Sequence, residues 1–592
     1  MMDARLKRIL PLVQKPARYT GGEYGEIVKD KAEVELRMAL CFPDVYEIGM
    51  SNVGTRILYH TINTLPYVWC ERAFAPWDDF KERLVKNNIP LYGLESGDPL
   101  RDFDVLGFSL GYELSYTTVL DMLSLAGIPL RSADRPGLLP LIFAGGTSCC
   151  NPAPMADFFD LLVLGEGEEL DNEVLALLRI AKREGWSKAD FLKEAASIGG
   201  VYVPSITQGT VTKRIVTDFD GSPFPTRPIV PGTEIVHDRV NLELFRGCIR
   251  GCRFCQAGQV YRPVRAKKPE TLIRQGIESL QNTGYQEITL SSLSSSDYRG
   301  LGELCDGLLA YCEPRKIGLA LPSLRADNFS MELMHKVQKV RKSGLTFAPE
   351  AGTQRLRDAI NKNVTEEELL QSCRVAFAGG WNNVKLYVML GLPAETDEDV
   401  LGIASVAEHV LHAWRECAVN KNRGVRITVS TSCFVPKPHT PFQWAPMVEK
   451  EEYLRRVALL RETLRARNGV YNGHGAEESE IECCRSRGDG RLGAVIEAVW
   501  REGGTLEAWS DHFDYARWAR AFERCGVDPA DYTTRAREKD EVFPWDGIDM
   551  GVTKDHLWRE WEMCLKTALS PDCRAGCTGC GADRLTGGVC DG

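Results

Sequence analysis

Short apolar runs and helical stretches take turns along most of this 592-residue chain, and no other feature restricts the fold as much. From Val34 the chain reads "VELRMALCF", a helix near Gly54 to Asn63, "YVWCERAF", a helix in "WDDFKERLVKNN", then "FDVLGFSLG", "TTVLDMLSLAGI", "PLIFAGG" and "DLLVLGEGEE", which leads into the helical "LDNEVLALLRIAKREG". Strand and helix in turn imply an α/β fold, a doubly wound parallel sheet with helices on both faces. Ligands of such sheets sit beyond the carboxyl ends of the strands, here in the loops holding Asp44 to Gly49, Ser109 to Gly111 and Gly145 to Thr147. Residues 193–235, rich in Gly, Pro and β-branched side chains, read as a linker. Six further strand-like runs follow, "NLELF", "EITLSS", "IGLALPS", "LTFAPE", "VKLYVML" and "RITVSTS", with helical stretches between them. The first of those helices is well signalled, by Pro269 at its opening, Glu270 in its first turn and Gly284 past its end. Six β-α units with right-handed crossovers curl into a partial parallel barrel whose strand ends face one cavity. The boundaries are thus 1–192 for the first domain, 193–235 for the linker, 236–466 for the barrel and 467–592 for a helical carboxyl-terminal domain.

The bulk numbers are those of an ordinary globular protein, with 44% hydrophobic and 26% charged residues. A net charge of −10 argues against a surface built for phosphate backbones, so nucleic acid is a partner class without support. No apolar run reaches the roughly 18 residues of a spanning helix, and "MMDARLKRIL" has charges where a signal peptide needs an apolar stretch. The sequence therefore predicts a cytoplasmic protein without membrane contact. Twenty cysteines in a reducing compartment point to metal, because structural disulfides are rare there. Cys41, Cys305, Cys312, Cys373 and Cys433 lie in apolar stretches and are expected to be small buried hydrophobes.

Three cysteines stand apart, in "VNLELFRGCIRGCRFCQAG", where the first barrel strand runs into a glycine-punctuated loop holding Cys248, Cys252 and Cys255. Three thiolates so spaced can ligate three irons of a cubane cluster and leave the fourth iron open for reaction. A structural zinc site is the alternative, but it closes with four ligands, and the next candidates are the distant His237 and Cys305.

The barrel and the triplet together resemble the radical S-adenosylmethionine (SAM) superfamily over roughly Val236 to Leu464. The resemblance extends to "CRFC", "APEAGTQRLRDAINKNVTEEEL", "LYVMLGLPAETDED" and "CFVPKPHTPFQWAPM". It implies a [4Fe-4S] cluster on Cys248, Cys252 and Cys255 with SAM chelated to its open iron. It also implies Phe254 near the adenine, Glu350 toward the nucleoside, Lys362 toward the SAM carboxylate, and Gly391 and Pro393 shaping the adenine wall. Where the superfamily has Gly-Gly-Glu after its second strand, this chain has "SSLSSSD", so Ser291 and Ser292 are expected to meet the methionyl amine. The implied chemistry is one-electron cleavage of SAM to a 5′-deoxyadenosyl radical that abstracts hydrogen from substrate, with flavodoxin or ferredoxin as electron donor. Arg246, Arg325, Glu350 and Lys362 are the charged candidates near the mouth; ion pairs locking the loops are their other reading.

The first domain resembles the cobalamin-binding domain fused to such enzymes. Its loop "DVYEIG" keeps Asp44 and Gly49 of D-x-H-x-x-G but has Tyr46 in place of the cobalt-ligating histidine. Cobalamin would therefore bind here without that lower ligand; the alternative is a scaffold that has lost its ligand.

Beyond Arg467 apolar residues recur at helical spacing, and Trp500, Trp509, Phe513, Trp518 and Phe522 are expected in the core of a small helical domain over the barrel mouth. Motifs such as "SRGDGRLG" and "WSDHFDY" are similar to the tail of an uncharacterised cobalamin-binding-type radical SAM family. The last segment repeats the triplet spacing as Cys573, Cys577 and Cys580, with Cys590 as a fourth ligand for structural zinc or an auxiliary cluster. Three functions remain open at this point: a radical SAM enzyme, by methylation if cobalamin binds; methylthiotransferase-like sulfur insertion; and a non-enzymatic iron-sulfur redox or sensor protein.

Overall fold

The computed structural model describes residues 4–321, 345–466, 470–473, 475–588 and 590. Its first sheet has the order β2-β1-β3-β4-β5-β6, with β1 Leu36–Phe42, β2 Val68–Phe74, β3 Val105–Ser109, β4 Leu141–Gly145, β5 Leu161–Val163 and β6 Val201–Tyr202. The first five strands are parallel and β6 is antiparallel to β5. β2 is buried at every position, as a parallel strand covered on both faces must be. Two of its buried residues are charged, and both are paired: Glu71 with Arg37 at 2.6 Å, and Arg72 with Glu95 at 2.7 Å and Glu23 at 2.6 Å. The strand order reverses between β1 and β3, which opens the crevice where sheets of this kind bind ligands.

The six barrel runs are strands: β7 Val240–Glu243, β8 Glu287–Ser291, β9 Gly318–Ala320, β10 Leu345–Glu350, β11 Asn383–Leu390 and β12 Arg426–Cys433. A further strand, β13 Val470–Gly473, pairs in parallel with β12. Described pairings are all parallel, in the orders β9-β8-β7 and β10-β11-β12-β13. The last two residues of "IGLALPS", and Arg325, lie outside the described residues. The helix after the cysteine loop runs Pro269–Thr283, and Gly284, with φ +72°, takes the left-handed cap that only glycine accepts without strain.

The carboxyl-terminal helices divide between two tasks. Ala476–Arg487 edges the barrel mouth, whereas Leu492–Arg501 packs against Tyr116–Leu125 of the first domain and, with Tyr515–Cys525, joins that domain's core. The helical region is thus only in part a cap on the barrel. Trp518 and Phe522 are buried in the shared core, and Trp500, Trp509 and Phe513 pack on it. Trp518 donates to Glu507, which also pairs with the fully buried Arg485. Cys41, Cys305, Cys312, Cys373 and Cys433 are all buried. Among the described residues no helix is long and apolar enough to cross a membrane.

Candidate functional site

The loop after β7 holds the first cysteine triplet, and its base is tied by a two-residue ribbon, Phe245–Arg246 against Arg265–Ala266. Gly247 has φ +87°, and a Cβ there would sit 2.8 Å from the Pro263 carbonyl oxygen, so the turn into Cys248 requires glycine. Cys252 is buried; Cys248 and Cys255 are half-buried. Burial, and then the neighbouring Cys252, pushes the Cys248 thiol up and the Cys255 thiol up to about 12. Cys248 and Cys255 thus both feel the charge of Cys252 between them in the chain. Such thiols ionise when a cation takes their place among the protons, so the set is suited to metal. The Gly258 amide donates to Cys255 Sγ at 3.3 Å, the kind of contact that tunes an iron-bound thiolate. Among the described residues no three ligating side chains, in this loop or elsewhere, stand in coordination geometry, so taking a metal means drawing the sulfurs together.

Arg253, inside the triplet, is fully buried and holds the loop down. It donates to the Ala359 carbonyl at 2.7 Å, the Ala568 carbonyl at 2.8 Å and Ser570 Oγ at 3.1 Å, and pairs with Glu560 at 3.0 Å. The carboxyl-terminal helix Lys554–Leu565 and the segment after it are thereby part of the loop's support.

Beside Cys255 stand Phe254, Glu350 and Lys362. Lys362 pairs with Glu350 at 3.0 Å, lies 5.9 Å from the centre of the Phe254 ring, and its charge favours the Cys255 thiolate. Phe254 packs against an apolar cluster that includes Ala351, Leu392 and Phe434, and Leu392 lies between Gly391 and Pro393. Gly391, at φ +87°, gives its amide to Glu395 at 2.7 Å, and a Cβ would stand 2.5 Å from Val448 Cγ1. Ser291 and Ser292 line a cavity together with Arg246 and Gly247.

Two cavities of about 460 Å³ flank the loop. One lies between the strand ends of the first sheet and the barrel, walled by Gly107, Gly111, Gly145 and Gly146 and reaching Arg246, Ser291 and Ser292. Arg246 is paired there with Glu168 at 2.6 Å, Glu243 at 2.9 Å and Glu166 at 3.3 Å. Asp171 lines the same cavity, fully buried with Oδ1 unpartnered, and burial followed by the charge of Glu168 pushes its carboxyl up to about 8. Tyr46 is absent from this wall; it is buried and hydrogen-bonded to Glu23. Asp44 accepts from Trp509 Nε1 at 2.9 Å.

The other cavity lies at the ends of β11 and β12, lined by Phe254, Gln256, Met389, Phe434, Lys437 and Glu482. Burial alone would lower Lys437, but Glu113 at 3.0 Å and Glu482 at 2.7 Å hold its ammonium well above the usual range. Sequence reasoning passed over Gln256, Lys437 and Glu482. Gln256 follows Cys255 directly and Lys437 lies in "CFVPKPHTPF", so both were within reach of the motifs; nothing local marks Glu482.

Of the tail cysteines Cys573, Cys577, Cys580 and Cys590, the first touches the cysteine loop through its backbone. The Cys573 amide donates to the Ile249 carbonyl at 3.1 Å.

The family described as radical SAM proteins, N-terminal, matches residues 54–204, and the radical SAM superfamily matches residues 242–407. An uncharacterised protein of Methanocaldococcus jannaschii is 28% identical over 466 residues, 78% of this chain and 90% of that protein. Among solved structures, the radical SAM methyltransferase TsrM of Kitasatospora setae, with cobalamin and a [4Fe-4S] cluster bound, has a TM-score of 0.47 at 14% identity, covering 82% of this chain and 99% of that one. The cobalamin-dependent SAM radical enzyme OxsB, with aqua-cobalamin and SAM bound, has a TM-score of 0.46 at 12% identity over 90% and 79%.

Proposed function

Because this chain is an enzyme of the radical SAM superfamily, with that superfamily's domain over residues 242–407, we propose that it methylates its substrate in the cytoplasm with the help of a cobalamin held between its first sheet and its barrel. Cys248, Cys252 and Cys255 would hold a [4Fe-4S] cluster, which supplies the electron for reductive cleavage of SAM. Phe254, Glu350 and Lys362 are grouped beside Cys255 to receive the nucleoside and carboxylate ends of SAM, with Gly391 and Pro393 in the turn behind them. Ser291 and Ser292 line the glycine-walled cavity at the end of the second barrel strand. Their hydroxyls are suited to a polar ligand edge there.

The observation that carries the cobalamin part is the glycine-walled cavity of about 460 Å³ with its orphaned Asp171 Oδ1. A buried carboxyl without a partner is costly, and a ligand amide would relieve it. Among the described residues the lining contains no histidine, and Tyr46 is hydrogen-bonded to Glu23, so none of these residues offers the cobalt an imidazole. Substrate enters by the second cavity, where Gln256, Lys437 and Glu482 present polar groups.

Anaerobically reconstituted protein, given SAM and dithionite, is expected to release 5′-deoxyadenosine, and Cys252→Ala to abolish it. Added cobalamin should be retained at one cobalt per chain with a base-off spectrum. Cleavage of SAM without cobalt retention would remove the methylation reading and leave sulfur insertion as the alternative.

A further inference from the structure

The orphaned carboxyl in the glycine-walled cavity has a setting that specifies which chemical group would satisfy it. Asp171 is 2% exposed, lines that cavity and has no hydrogen-bond partner on Oδ1. It stands in the second turn of the helix Gly167–Glu184, whose N-terminus opens into the same space: Gly165, Glu166, Gly167 and Glu168 all line it. No side chain caps this helix, and among the described residues the amides of Gly167 and Glu168 find no acceptor. A helix cannot satisfy its own first amides, so these donors are left for whatever enters the cavity.

The neighbouring carboxylates are engaged elsewhere. Glu166 is held by Arg265 at 2.7 Å and accepts from the Val216 amide at 2.7 Å, and Glu168 is held by Arg246 at 2.6 Å. Asp171 alone at this end of the helix keeps its carboxyl for the cavity. A Cβ on Gly167 would fall 2.8 Å from Asp171 Oδ2 and 3.1 Å from Oδ1, so the missing side chain leaves the carboxyl and the first amides open to one molecule at once. The rest of the wall includes Phe108, Phe143 and Val163, and polar groups among such apolar neighbours are costly to leave unpaired.

We propose that Asp171 and the open first turn of its helix bind a primary carboxamide of the ligand, and that this contact decides which ligands the cavity accepts. The helix amides are donors and call for a carbonyl oxygen. Asp171 Oδ1 calls for an N–H, and burial followed by the charge of Glu168 keeps the carboxyl protonated near neutral pH, so it offers a hydroxyl as well. A primary carboxamide carries the matching acceptor and donors on one carbon. An ester supplies the carbonyl but leaves Oδ1 facing an oxygen that has no hydrogen to give. An ammonium group supplies N–H donors but meets the positive end of the helix. The rim of cobalamin's corrin ring bears primary carboxamides, so the cofactor proposed for this cavity carries the group that its wall requires.

The inference rests on the cobalamin reading, and binding measurements separate the two. The probes are cobalamin and its monomethyl esters, each with one peripheral carboxamide converted to the ester, dialysed to equilibrium against full-length protein and read by corrin absorbance. One of the esters should bind the parent at least about tenfold more weakly than cobalamin, because it leaves a buried acceptor unpaired. Asp171→Asn keeps an oxygen in place and should retain that preference. Asp171→Leu removes both oxygens and should bind cobalamin and that ester alike, both more weakly than the parent binds cobalamin. Where the leucine variant fails to fold, Asp171→Ala is read in its place. Equal affinity of the parent for cobalamin and every ester, or a preference that survives in Asp171→Leu, overturns the inference and leaves the cobalamin reading standing. No cobalamin bound by the parent overturns both.

Discussion

At the scale of single residues, Asp171 is the group whose environment is most at odds with its chemistry. Its folded-state pKa of about 8 stands above the roughly 3.9 of an unfolded chain, so the folded protein keeps a proton that the unfolded chain releases. The stability this side chain contributes is complete below about pH 4 and is lost as pH rises from there to about 8. Asp171→Asn imitates the neutral form and removes that loss. Thermal melts across this window should show the variant gaining on the parent as pH rises, by a few kcal/mol at most. A difference that is flat with pH would mean that Asp171 is already ionised in the fold. Arg253 poses the opposite problem, a buried charge with every partner in place. Arg253→Ala would leave Glu560 and two carbonyls facing each other without a cation, at a cost of about 3–5 kcal/mol. Its expected reading is a lowered melting temperature together with lowered iron content, because the same side chain fixes the cluster loop; Arg253→Lys, lacking the planar fork, should restore little of either.

At the scale of elements, much was legible in the sequence because its signals are local. Apolar periodicity located the six barrel strands, and Pro269 and Gly284 bracketed a helix that runs Pro269–Thr283. The grouping around the cysteine loop was harder. Ser291, Phe254 and Lys362 all belong to segments recognisable by resemblance, yet which cavity or partner each reaches follows from how strands separated by dozens of residues close around the loop. The apolar face of Leu492–Arg501 was equally clear, but a helical period states that a face must be covered and does not name its cover. Here the cover is Tyr116–Leu125 in the first domain.

That packing governs the whole molecule. Trp518 and the first sheet belong to one continuous core, so the chain's third segment and its first should lose structure together. Trp518→Ala is expected to cost about 3–5 kcal/mol and to speed amide exchange in Val105–Ser109 as well as in its own helix. Faster exchange confined to Tyr515–Cys525 would show two separate cores. The Arg253 clamp adds a consequence in time. Its partner Glu560 is 307 residues further along, and on a ribosome the barrel emerges and folds well before that helix exists. During that interval the cysteine loop is tethered at its base alone, and a cluster inserted then would have no clamp. Iron delivery therefore belongs after synthesis of the carboxyl-terminal helix, and a nascent chain stalled short of residue 560 should refuse the cluster that the released protein accepts.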